Sequence, residues 1–349
     1  MTGETRPRVL ICDDSQTYAA ALQRLIEHDG ELDVVAVARS AEDAITAVGR
    51  LHPDLVTMDI ELPGMSGLEA VERIMGIAPV PILVLSGHLA ADAVDSAAAL
   101  AAGALDALPK QSVDLLHPAG EAADAFRRRL AMLSKTRVIR HPRGRRRFPP
   151  LSQSEVIAPR PARAIGICSS MGGPHALLDV LTELPASFPV PILVAQHMAA
   201  GFAEGLARWL DSSVPLEVQI ARHGDEIGAG VWIAPDEAHL MLDAAMRAVL
   251  RPPAPADTNI PSGDVLLMSL ASALGRDSVA IVLTGMGRDG AAGIAAVKAA
   301  GGFTIAQDEA TSAIYGMPRA AAEQGVDRIL PLGAIPRELC ALAPQAAAR

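Results

Sequence analysis

Residues 164–181 read AIGICSSMGGPHALLDVL. An apolar run of strand character stops at two serines, turns through Gly172-Gly173-Pro174 and passes at once into an apolar pattern with helical spacing. A strand that feeds a helix through a tight turn is the repeating unit of a parallel sheet. The corner also leaves free amides at the helix N-terminus, where negative charge is favoured. A serine there suits nucleophilic chemistry if a base can take its proton. Ser170 lies nearer the turn than Ser169, which reads as strand-terminal packing, while Cys168 reads as buried. The G-x-S-x-G signature of a nucleophile elbow is absent.

The same rhythm runs through most of the chain. Upstream, RVLIC, LDVVAVA, DLVTMDI, PILVLSG and LDALPK alternate with helical patterns that include ADAVDSAAALAAG and a last helix near 113–133. Downstream, PILVAQH, LEVQIA, GVWIAP, SVAIVLTG and GFTIAQ read as strands, with a hairpin-like insertion around 214–251. The fold class is therefore α/β, with two doubly wound parallel-sheet domains, over 7–130 and 163–345, joined by a flexible linker over 131–162. Residues 134–162 carry eight Lys/Arg against one acid, and five prolines, without helical or strand period.

Composition narrows the class. A length of 349 residues suits two domains, and an aromatic content of 3% requires aliphatic cores. A net charge of −10 argues against a nucleic-acid binder, and the basic linker lacks interleaved aromatics. The longest stretch free of Asp, Glu, Lys and Arg, Leu184–Ala203, contains three prolines and reads as no membrane span. The N-terminus has no signal-peptide pattern, so a cytoplasmic protein is expected. Cys12, Cys168 and Cys340 are too scattered for a disulfide framework or a zinc site and read as small buried hydrophobes.

In a doubly wound sheet, ligands gather beyond the carboxyl ends of the strands. In the first domain those ends carry Asp13, Asp14, Asp59, Ser86 and Lys110. Converging carboxylates call for a hard dication such as Mg²⁺. The set ICDDS, VTMDIELPGMSGLE, VLSG and AGALDALPK resembles the two-component receiver domains, a flavodoxin-like fold. The resemblance implies Asp59 as phosphoryl acceptor; Asp13, Asp14, Asp59 and the Glu61 carbonyl around Mg²⁺; Ser86 and Lys110 as switch residues; and a histidine kinase as phosphodonor. Ala107 replaces the usual aromatic, and Gln111 the proline that usually follows the lysine.

In the second domain, one strand ends in Gln196-His197 and another in a glycine-rich turn carrying Asp289. Serine, imidazole and carboxylate are the groups acyl transfer requires. SMGGPHALL, VAQHMAAGFAEGLARWLD, WIAPDEAHLML, PSGDVLL and VLTGMGRDGAAG resemble the catalytic domain of the chemotaxis protein-glutamate methylesterases, a Rossmann-like fold. The resemblance implies Ser170 as nucleophile, His197 as base, Asp289 as its orienting partner, and backbone support for the oxyanion at Met286 and Met171. It further implies cytoplasmic helices of methyl-accepting chemoreceptors as substrate, deamidation of receptor glutamines and no cofactor in the catalytic domain. The receiver–linker–hydrolase layout adds the expectation that the receiver covers the Ser170 cleft until Asp59 is phosphorylated. Met171, Cys168, Ser169 and Asn259 depart from the family's usual threonine, glycine, alanine and histidine. Two other readings are a non-enzymatic response regulator that binds a partner or nucleic acid, and an esterase of another signalling pathway.

Overall fold

The computed structural model describes residues 6–87, 98–136 and 161–344. The chain divides into two compact units, Met1–Arg145 and Arg146–Arg349. Most of the expected linker, and most of the helix expected over ADAVDSAAALAAG, lie outside the described residues.

In the first unit β1 (Arg8–Cys12), β2 (Asp33–Ala38), β3 (Leu55–Asp59), β4 (Ile82–Ser86) and β5 (Asp106–Pro109) form a parallel sheet of order β2-β1-β3-β4-β5. Helices α1 (Gln16–Ile26), α2 (Ala41–Leu51) and α3 (Gly67–Ile77) each start at a serine, Ser15, Ser40 or Ser66, whose hydroxyl accepts an amide of the first turn. The last helix, α4 (Glu121–Leu133), is shorter than expected. Residues 110–112 form a 3₁₀ turn instead, and Pro118 and Gly120 precede the helix.

The second unit is a seven-stranded sheet of order β14-β13-β12-β6-β7-β9-β8. Its strands are β6 (Ala164–Ser169), β7 (Ile192–Gln196), β8 (Val218–Ile220), β9 (Val231–Ile233), β12 (Ser278–Val282), β13 (Phe303–Gln307) and β14 (Arg328–Leu330), all paired in parallel. The insertion expected over 214–251 is therefore corrected. Its first half supplies the parallel edge strands β8 and β9, and only β10 (His239–Leu242) and β11 (Ala248–Arg251) pair as an antiparallel hairpin. Three-residue strands are too short for their period to distinguish the two arrangements.

Alternation along β6 builds both cores. Ile165 and Ile167 point to one apolar layer, with Leu177, Leu206 and Leu210 of α5 (Gly173–Thr182) and α6 (Ala203–Ser213). Ala164 and Cys168 point to the other, with Leu266, Leu267 and Leu270 of α7 (Gly263–Leu274) and Ile294 of α8 (Ala291–Ala299). Helix α9 (Met317–Ala322), strand β14 and helix α10 (Ile335–Leu342) complete the unit. Cys12 and Cys168 are buried, but Cys340 on α10 is exposed, contrary to expectation. It faces away from the Ile335 and Leu339 side that α10 buries.

Candidate functional site

Strand β6 pairs with β7 on one side and with β12 on the other, so Ser170 leaves the sheet where the strand order reverses. Ser169 is paired in register with Gln196, and the His197 amide donates to the Ser169 carbonyl at 2.9 Å. Ser170 and His197 are thus the next residues on two adjacent strands, which lie about 4.8 Å apart in a sheet. Ser169 is fully buried and its hydroxyl donates to Gln196 Oε1 at 2.6 Å, whereas Ser170 is half-buried.

One side chain ties the two corners together. Gln196 Nε2 donates to the carbonyls of both Ser170 (2.8 Å) and His197 (2.7 Å). The turn itself needs glycine at 172, where φ is +74° and a Cβ would lie 2.6 Å from that of Ala313. Gly285 is required for a different reason: a Cβ there would lie 2.7 Å from Ser170 Cβ.

His197 meets Asp289 through Nε2, 2.7 Å from Oδ2. That leaves Nδ1 as the nitrogen free to serve as a base. Asp289 is buried at the N-terminus of α7, where it accepts from Ser262 Oγ (2.9 Å), Gly263 N (2.6 Å) and Asp264 N (2.9 Å). Burial alone would push its carboxyl up, but the His197 hydrogen bond and these amides outweigh burial and hold it at about 2. Asp264, beside it, is raised by burial and by the Asp289 charge. The loop after His197 is fixed by Asp236, whose carboxylate accepts the Gly201 and Ala203 amides at 2.8 and 3.1 Å.

Met286 and Met171 flank the corner. Met286 is 38% exposed and Met171 is buried, and neither amide donates to an acceptor among the described residues. The turn before Met286 is clamped by Gly285, whose carbonyl accepts Met317 N at 2.8 Å and whose amide donates to Ile314 at 3.0 Å. An open cleft of about 400 Å³ adjoins Asp289, lined by Asp257, Asn259, Ser262, Asp264 and Arg288 among others. Gln196, Asp236, Ser262 and Asp264 escape a reading by residue type, because each acts by binding backbone or another polar side chain. The signal available was position: Gln196 precedes His197, and Ser262 opens a helix.

In the first unit, oxygens of Asp13, Asp14 and Asp59 lie within 4.8 Å of one another. Three hard anionic donors at that spacing fit Mg²⁺. Lys110 Nζ reaches Asp13 at 2.7 Å and Asp59 at 2.6 Å, and sits 4.6 Å from the centre of the Tyr18 ring. Burial raises the Asp59 carboxyl, with Lys110 opposing and Asp13 adding to the rise. The Glu61 amide donates to Asp59 Oδ1 at 3.2 Å. Ser86 is buried at the end of β4, in register with Pro109, the residue before Lys110.

Fold and site together define a receiver domain joined to a parallel-sheet domain with a serine, an imidazole and a carboxylate at its switch point. Two families match accordingly: CheB methylesterase over residues 165–339 and response regulator receiver domain over residues 9–118. A protein-glutamate methylesterase/protein-glutamine glutaminase of Anaeromyxobacter dehalogenans is 44% identical over 97% of this chain and 98% of its own length. One from Myxococcus xanthus is 40% identical over 97% and 95%. Among solved structures, the catalytic domain of Thermotoga maritima CheB methylesterase aligns with a TM-score of 0.51 at 38% identity, covering 52% of this chain and 99% of that one. The chain belongs to the CheB methylesterase family.

Proposed function

We propose that this chain hydrolyses the methyl esters of glutamate side chains on chemoreceptors and deamidates receptor glutamines, under the control of phosphorylation at Asp59. The observation that carries the reading is the neighbouring of Ser170 with the His197–Asp289 pair at the end of β6 and β7. It is supported by 44% identity, over nearly the whole chain, to a relative that bears both activities in its name.

The chemistry follows from the atoms. Ser170 Oγ attacks the ester carbonyl as its proton passes to His197 Nδ1. Asp289 keeps the Nε2 proton in place and stabilises the imidazolium. The amides of Met171 and Met286 are available to the oxyanion. The imidazolium then protonates the methoxy oxygen, methanol leaves, and water activated by His197 releases the glutamate from Ser170. An amide follows the same course with ammonia as the leaving group.

In the receiver, Asp13, Asp14, Asp59 and the Glu61 carbonyl would hold Mg²⁺, which neutralises charge around an incoming phosphoryl group. Lys110 and Ser86 are placed to bind its oxygens. A histidine kinase is the expected donor, and the cytoplasm the expected compartment. Among the described residues, no helix is long and apolar enough to cross a membrane.

The test is methanol release from methylated receptor fragments. Wild type is active, Ser170→Ala loses at least about 10³-fold, and Ser169→Ala keeps most of its activity. Activity surviving in Ser170→Ala sinks the proposal.

A further inference from the structure

Behind the catalytic carboxylate lies a second histidine–aspartate pair that the chemistry above does not use. His239 stands on β10 and is fully buried. Its Nδ1 accepts the amide proton of Ser262 at 3.0 Å, and its Nε2 lies 2.9 Å from Asp257 Oδ2. An acceptor cannot carry a proton, so the ring is neutral with hydrogen on Nε2, and that hydrogen is donated to Asp257. Asp257 is in turn held by the Ala254 amide at 2.7 Å and by Arg251 at 3.2 Å.

Ser262 is the link to the site. It opens α7, its hydroxyl accepts Val265 N at 3.3 Å and donates to Asp289 Oδ1 at 2.9 Å. Asp289 Oδ2 then holds His197 Nε2 at 2.7 Å. One hydrogen-bonded chain therefore runs from Arg251 on the hairpin, through Asp257, His239, Ser262 and Asp289, to His197. A carboxylate held from behind at a defined angle holds its imidazole at one angle too, which proton transfer demands.

Resting on the proposed function, we infer that His239 is a positioning residue for this reaction. By binding the Ser262 amide in one fixed tautomer, it sets the Asp289 carboxylate and through it the His197 ring. The contacting atom is Nδ1, with Asp257 serving to keep the proton on the other nitrogen.

Side-chain length separates the two arms. Asparagine at 239 keeps an acceptor near the Nδ1 position, glutamine keeps a donor near the Nε2 position, and phenylalanine keeps neither. The assay on the full chain is the rate at which Ser170 is labelled by a fluorophosphonate, which needs the base but no receptor, alongside kcat and KM for methanol release and a melting curve for each variant. Expected are a fall of about 10–100-fold in labelling rate and kcat for His239→Phe at little change in KM, the loss usual when an outer partner of a working histidine is removed. His239→Asn should recover most of it and His239→Gln much less. Asp257→Ala, at a partly exposed position, should slow labelling by about threefold to tenfold and serves if His239→Phe does not fold. Wild-type labelling in a folded His239→Phe or in Asp257→Ala, or recovery by Gln equal to that by Asn, overturns the inference. Labelling without methanol release in wild type would instead remove the proposed function and leave the His239 comparison to be decided on labelling rates.

Discussion

Asp59 and Asp289 are both buried carboxylates near the carboxyl end of a parallel sheet, 3% and 8% exposed, yet their surroundings act in opposite directions. Asp59 shares its corner with Asp13 and Asp14, and burial raises its carboxyl even with Lys110 at 2.6 Å. Asp289 has a hydroxyl, two amides and an imidazole aimed at it, and is held at about 2. Burial does not distinguish the two; the supply of fixed donors does. The receiver leaves its carboxylate short of compensation, which suits the proposed binding of a dication and a phosphoryl group. The second domain surrounds its carboxylate with donors, which suits the proposed role of a charge that stays put while a neighbouring ring changes protonation.

The largest test of that contrast is Asp289→Asn. An amide in place of the carboxylate cannot stabilise imidazolium, and its NH₂ would face donors at Ser262, Gly263 or Asp264. We expect kcat for methanol release to fall roughly 10³–10⁴-fold, as for other triads whose acid becomes an amide. The wild-type acid also fixes a pH signature. Its folded value of about 2 lies below the ordinary 3.8, so its contribution to stability is full above 3.8 and is lost as the pH falls toward 2. A domain-specific unfolding curve that changes in this window for wild type, but not for Asp289→Asn, would bear this out.

Next in size is the staple at Gln196. Its Nε2 bridges the carbonyls of Ser170 and His197, so Gln196→Leu removes the link between nucleophile and base while roughly preserving volume. It also leaves Ser169 Oγ without its buried acceptor. Each unpaired buried polar group costs about 1–3 kcal/mol, and a misaligned Ser–His pair should lower kcat by about 10–100-fold. A variant with wild-type kcat would mean that strand register alone aligns the pair.

What the sequence made legible, and what it did not, follows the same division. Strands β6, β7 and β12 are long apolar runs between turn residues, so their ends, and hence Ser170, His197 and Asp289, could be found by reading alone. The five receiver positions were legible because each closes a strand or lies just past its end. Strands β8 and β9 were legible as LEVQIA and GVWIAP, but their parallel pairing was not, since three residues carry too little period, and β14, which exposes Ile329 at the sheet's edge, was missed. Gln196, Ser262 and His239 were invisible as a group for a different reason. Gln196 binds the Ser169 hydroxyl and the carbonyls of Ser170 and His197, while Ser262 at the start of α7 and His239 on the hairpin bind each other and two aspartates, and no local spacing encodes those meetings.

The smallest effect is the most direct comparison, because the same substitution should act with opposite sign in the two domains. In Asp59→Asn a crowded charge disappears while Lys110 keeps Asp13 at 2.7 Å, so no charge is left unpaired. With its folded carboxyl raised, ionised Asp59 costs stability at neutral pH, and that cost fades only as the pH falls through the folded value. The receiver transition of Asp59→Asn should therefore be unchanged or raised by up to about 1 kcal/mol, whereas Asp289→Asn should lower the catalytic-domain transition by about 1–3 kcal/mol. Mg²⁺ sharpens the difference. By linkage it should raise the wild-type receiver transition, about 4–8 °C for each kcal/mol of binding free energy. The rise should shrink in Asp59→Asn and be absent from the catalytic transition of either protein. If both Asn variants were destabilised alike, uncompensated charge would not be what separates the two carboxylates, and the cation would have to be drawn to the receiver by something other than the repulsion among Asp13, Asp14 and Asp59.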